Sequence, residues 1–366
     1  MTYEAETGDG GAGGHGRGGH GRGGHGGDHG GEGGTARGGR GDGGAGARQR
    51  GVLRTFRTAL ATLARNRRPL CGQTLRITGL GALGGVLLTG AAFAIAWPYF
   101  TEMWDGALEA QAYDGDSYYP ETQGALNVMA ATLPFLLLLG ALCCAALQTV
   151  HSRALDGASP LGGRAFWRRE RARVGSAFGV YVLRGILVWA VVAAGILTQE
   201  ILTTTKYQAP TIIPPHTLGS TVVKFGAPLL AMCVALLLRL GFSLAPAAAV
   251  ADGLNPLAAL GRSWSLVWRG GAWPRTAAVT LPAGLLVVGV YVAVQYAAGP
   301  LHNVVASAFL AHITEIQYVA YAAAVLTPVA VATLASGALT LPFAHTVLAA
   351  RYAALSGREV EGRRAT

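Results

Sequence analysis

Charge is scarce in this chain. Only 13% of its 366 residues are charged while 51% are hydrophobic, and the mean hydropathy is positive at +0.37. A soluble domain carries about 25% charged residues, so an ordinary water-soluble globular domain is excluded. Lysine is nearly missing: Lys206 and Lys224 are the only two, and every other basic residue is arginine. Cysteine is sparse as well. Cys71, Cys143, Cys144 and Cys233 lie in or beside apolar runs, so no disulfide framework is expected. Adjacent Cys143 and Cys144 read as small apolar helix residues rather than as a redox pair or a metal fragment. The chain has no P-loop, no G-x-S-x-G and no H-E-x-x-H. It also has no clustered Glu/Asp/His set of the kind a metal-dependent hydrolase needs. These absences leave no catalytic residue, cofactor or metal ligand to name, and the chain reads as non-enzymatic.

What is abundant is apolar sequence. Crossing a bilayer takes about 20 apolar residues in a helix. Six stretches approach or exceed that, at about 77–97, 125–150, 177–199, 221–245, 277–298 and 318–346. The last contains Pro328 and Pro342, which predicts either a kink or a helix running past the bilayer. The stretch at 301–313 is too short to cross and reads as an external interfacial or re-entrant piece. The expected fold class is all-α: a polytopic membrane protein with six transmembrane helices over 77–350.

The charges that exist are sorted along the chain. Residues 1–76 carry twelve arginines, and 151–176 carry Arg153, Arg164, Arg168, Arg169, Arg171 and Arg173. Residues 252–275 carry Arg262, Arg269 and Arg275, and the C-terminal tail 351–366 carries four more arginines. Residues 98–124 instead hold six acidic residues and no basic one, and 299–317 hold no Lys or Arg. The positive-inside rule then predicts a multi-pass protein of the bacterial plasma membrane with both termini cytoplasmic. The two lysines flank the remaining external loop, a mild exception. The net charge of +10 follows membrane topology, so no nucleic-acid partner is expected. Trp97 and Trp104 lie near the outer end of the first span, and Trp167, Trp264, Trp268 and Trp273 near cytoplasmic ends, as in an aromatic belt.

Residues 1–47 are Gly-rich with scattered His, Arg and Asp. They offer little to bury and read as a disordered cytoplasmic tail. His15, His20, His25 and His29 could gather a metal on such a tether, but a low-complexity tail is the simpler reading. No signal peptide is predicted. Residues 48–76 form the next unit. Leu53, Phe56, Leu60 and Leu63 share one helical face, and Arg50, Arg54, Arg57, Arg65 and Arg68 another. That predicts a basic amphipathic helix on an anionic lipid bilayer.

One motif repeats. Asp-Gly-Ala-Ser-Pro-Leu at 156–161 returns as Asp-Gly-Leu-Asn-Pro-Leu at 252–257, and each copy leads into Gly-Arg and then Trp. Asp-Gly favours a turn, and Pro suits the first turn of the next helix. Both copies fall on the cytoplasmic side, so the repeat is parallel, with elbows joining helices two to three and four to five. In the second copy Leu257, Leu260, Trp264 and Trp268 are expected to form an apolar face, with Arg262 and Arg269 directed away. The run from Phe242-Ser-Leu-Ala-Pro246 through Asp252-Gly to Arg262-Ser-Trp264, Arg269 and Trp273 resembles the cytoplasmic elbow of a bacterial six-helix membrane-domain family. That family includes the membrane domain beside glycerophosphoryl diester phosphodiesterases and related domains of unknown function. The resemblance covers about residues 50–355. It implies a membrane domain without established catalytic residues.

Ionisable residues inside a span are functional candidates, because a charge in lipid is costly. Arg184, about two turns into the third span, is the deepest and is the candidate for a polar cavity. The candidate docking or interfacial residues are Asp156, Arg164, Trp167, Asp252, Arg262, Trp264 and Arg269. The expected function is a scaffold, or a lipid- or partner-binding membrane domain. The alternative is a permease or permease subunit that docks a partner through elbows 156–175 and 252–275.

Overall fold

A computed structural model describes residues 43–112, 122–157, 163–203, 218–269 and 271–365, and none of them is in a strand. The expected tail lies, up to residue 42, outside the described residues, with its four histidines. Six helical segments are long and apolar enough to cross a membrane. They are α2 (Arg67–Ala112), α3 (Thr122–Leu155), α4 (Arg164–Thr203), the broken pair α5 (Leu218–Gly241) and α6 (Ala245–Asp252), α8 (Trp273–Ala297) and α10 (Gln317–Ala365). Shorter helices are α1 (Gly43–Arg65), α7 (Pro256–Trp268) and α9 (Leu301–His312). At most 22% of any apolar window is buried within the bundle. So much outward-facing hydrocarbon is untenable in water and matched in lipid, where each helix satisfies its own backbone.

Two spans run further than expected. The apolar run predicts a first span ending at residue 97, but α2 continues through Pro98 to Ala112. Pro removes one helical hydrogen bond. Packing compensates: Phe100 and Met103 are buried with Ala125, Ile316 and Val319, and Trp104 meets Tyr318 edge-on. Of the two readings of the last span, the helix runs on: α10 has 49 residues, about 70 Å of helix at 1.5 Å per residue, against about 30 Å of hydrocarbon.

The amphipathic segment divides its apolar residues between two faces. Val52, Phe56 and Ala59 pack on Val279, Phe343 and Val347, with the Phe56 and Phe343 rings stacked. Leu53 and Leu60 are exposed and lie between that face and the arginines. Helix α1 thus holds the bundle with one stripe and offers a second outward.

Helix α6 explains how the bundle closes around the fourth span. Ala245, Pro246, Ala247, Ala248, Ala249 and Val250 are all buried. Side chains this small let α3, α4, α7 and α10 approach its backbone. The break at 242–244 between α5 and α6 frees backbone groups, and Ser263 of α7 meets two of them. Its hydroxyl donates to the Gly241 carbonyl at 2.7 Å and accepts from the Leu244 N–H at 3.2 Å.

Candidate functional site

The repeated Asp-Gly turns form alike. Gly157 and Gly253 both take left-handed backbone, at φ 70° and 66°, where a Cβ would be strained. Beyond them the copies differ. Arg164–Gly175 is the first part of α4 and continues straight into its span. The second copy forms the separate helix α7, capped by the Asn255 side chain accepting from the Ala258 N–H at 2.8 Å.

Helix α7 turns a different face inward from the one expected. Ala259, Leu260, Ser263 and Val267 are buried, while Leu257 is 72% exposed. The inward face is set by Ser263, which must reach the break between α5 and α6. Trp264 instead lies against Phe242 and Trp268, over Gly241, where a Cβ would stand 2.6 Å from the indole. Arg269 is exposed at the end of α7. Arg262 does not point away. It lies beside Tyr352 of α10, close enough to act on the hydroxyl that donates to Asp252.

The two repeat aspartates converge. Asp156 and Asp252 line one cavity of about 140 Å³, with Ser152, Ala247, Tyr352 and Ser356 on its walls. Both elbows therefore sit at the same end of the bundle, as a parallel repeat requires. The first elbow is tied by charge. Arg153 contacts Asp156 at 3.2 Å and Glu170 at 2.9 Å, and Arg173 contacts Glu170 at 2.8 Å. Glu170 is buried, so this carboxylate fixes the end of α3 to the start of α4. Trp167 packs with Phe166 on the cluster of Leu70, Leu147 and Val150. Arg164 is exposed, as are Arg168, Arg169 and Arg171. An open cleft of about 360 Å³ lies beside them, lined by Arg169, Arg173, Ser176 and Gly253.

A buried polar chain leads inward from the cavity. The Gln148 amide N–H donates to Ser152 Oγ at 3.0 Å, and Gln148 Oε1 lies 2.8 Å from His345 Nδ1. An amide oxygen only accepts, so His345 carries its proton on Nδ1. Tyr181 Oη is 3.4 Å from that same nitrogen. Thr346 donates to the Pro342 carbonyl at 2.7 Å, so it accepts from His151 Nδ1 at 3.0 Å. Both imidazoles thereby leave Nε2 as a buried acceptor with no partner among the described residues. Arg184 sits at the inner end, with its guanidinium 4.9 Å from the centre of the Tyr181 ring.

Sequence reasoning reached Arg184, Asp156 and Asp252 but missed Gln148, His151, Tyr181, His345 and Tyr352. Those five are not Asp, Glu, Lys or Arg, and so do not stand out as charges in the sequence. Two histidines in apolar runs were the signal that could have found the rest. Among the described residues no group of three or more His, Cys, Asp or Glu could hold a metal. No family profile, curated protein or solved structure matches this chain.

Proposed function

We propose that this is a non-enzymatic integral membrane scaffold that binds anionic lipid, with both elbows and both termini on the cytoplasmic side of a bacterial plasma membrane. The observation that carries this reading is the exposed arginine surface at the elbow end: Arg164, Arg168, Arg169 and Arg171 on α4, with Arg54 and Arg57 on α1. It lies beside tryptophans and the outward stripe Leu53 and Leu60, the combination that suits an anionic headgroup layer. The elbow motif's likeness to six-helix bacterial membrane domains belongs to the same proposal. A permease subunit docking through its elbows has less support, because α7 spends its buried face on its own bundle.

The test is lipid selectivity in mixed vesicles, read with spin-labelled phosphatidylglycerol and phosphatidylcholine. Wild-type protein is expected to immobilise phosphatidylglycerol preferentially. Each arginine near an anionic surface contributes ~1 kcal/mol, so R164Q/R168Q/R171Q should lower the preference by roughly tenfold or more at low salt. Added salt should weaken it too. Equal immobilisation of the two lipids by the wild type would overturn the reading.

A further inference from the structure

Two arginines stand level with one another on neighbouring spans, and neither has a carboxylate partner among the described residues. Helices α4 and α5 pack against each other. At one close approach a Cβ on Gly195 would meet Ala231 and the Ala227 carbonyl. From that crossing Arg184 lies about three turns along α4 and Arg239 about two to three turns along α5, both toward the elbow end. Their neighbours Leu183 and Leu240 pack on the same buried cluster. Arg239 is near enough for its charge to act on Arg184.

Arg184 meets the buried polar chain through Tyr181 on its inner side, and Arg239 opens to the outside of the bundle. About one turn beyond each arginine, on the same face, Leu187 of α4 and Leu236 of α5 are exposed large hydrophobics. Arg184 is half-buried and stacked on Tyr181, while Arg239 is exposed. On α4 side chains slope back toward the helix start, so Arg184 reaches toward the elbow end, where hydrocarbon gives way to headgroups. Like charges in an apolar setting repel and remain unsolvated unless an anion joins them. Guanidinium binds phosphate through paired N–H donors.

We propose that Arg184 and Arg239 clamp the phosphate of one anionic phospholipid at the α4–α5 seam, its acyl chains lying along the exposed apolar surface above. This deepens the anionic-lipid reading and rests on it. The site differs from the surface arginines in holding a single lipid tightly rather than enriching many loosely.

Native mass spectrometry of the full chain, released from micelles containing equal phosphatidylglycerol and phosphatidylcholine, separates the outcomes. The wild type should retain one phosphatidylglycerol. R239Q and R184Q should each lower its occupancy, with affinity weakened roughly tenfold, and R239K should restore most of it. R164Q/R168Q/R171Q should keep the lipid. Arg239 is exposed, so R239Q tests the clamp even if R184Q does not fold. Retention of the lipid by R239Q at wild-type occupancy overturns the clamp and leaves the wider reading standing. No preference for phosphatidylglycerol in the wild type overturns both. Displacement of the lipid by inorganic phosphate alone would assign the site to a soluble anion and overturn the lipid assignment.

Discussion

Ser263 shows how one hydroxyl can decide a membrane fold. It is fully buried and answers a carbonyl and an N–H that the break in the fourth span would leave unmet. An unsatisfied buried polar group costs about 1–3 kcal/mol. Ser263→Ala should therefore destabilise the protein by about that amount, read as a lowered unfolding midpoint in detergent; an unchanged midpoint would show that the break is satisfied otherwise. The Arg-Ser-Trp motif was visible in the sequence, but the serine's role was not, because its partners lie 19 and 22 residues away across a break that hydropathy does not register. Arg184 was legible, since a charge within apolar residues stands out in one dimension. The residues joined to it were not. His345 and Gln148 are 197 positions apart, and nothing local links them.

At the scale of elements, hydropathy found all six spans and missed how they end. Helix α2 passes its proline because Phe100 and Met103 find a buried cluster, and that is a tertiary reason. The amphipathic period of α1 was legible, but its division between a bundle-facing and an outward stripe required the partners Val279, Phe343 and Val347. The seam between α4 and α5 rests on small residues. A Cβ on Gly195 would stand 2.4 Å from the Ala231 Cβ and 3.3 Å from the Ala227 carbonyl. Gly195→Ala should thus force the helices apart and cost about 1–3 kcal/mol, the usual penalty of overpacking. Adding Ala231→Gly should recover much of that loss. Thermal unfolding of the single and double variants checks this, and additive losses would show that the two residues do not meet.

At the scale of the whole molecule, the question is which side each end faces. The arginine asymmetry predicts the elbow end inside and the acidic extension of α2 outside. In a cysteine-free background, Glu109→Cys should react with a membrane-impermeant maleimide in intact cells, and Arg168→Cys only after permeabilisation. The reverse pattern would invert the topology. The sequence by itself determined the class, the number of spans and the likeness of the two Asp-Gly turns. These depend on composition, on run length and on a local left-handed glycine, all of which are read residue by residue. Only the tertiary structure decided that Asp156 and Asp252 share a cavity, that a polar chain joins it to Tyr181, and that Arg184 stands level with Arg239. Each of these depends on the register between helices, which is set by small residues and buried contacts far apart in the chain.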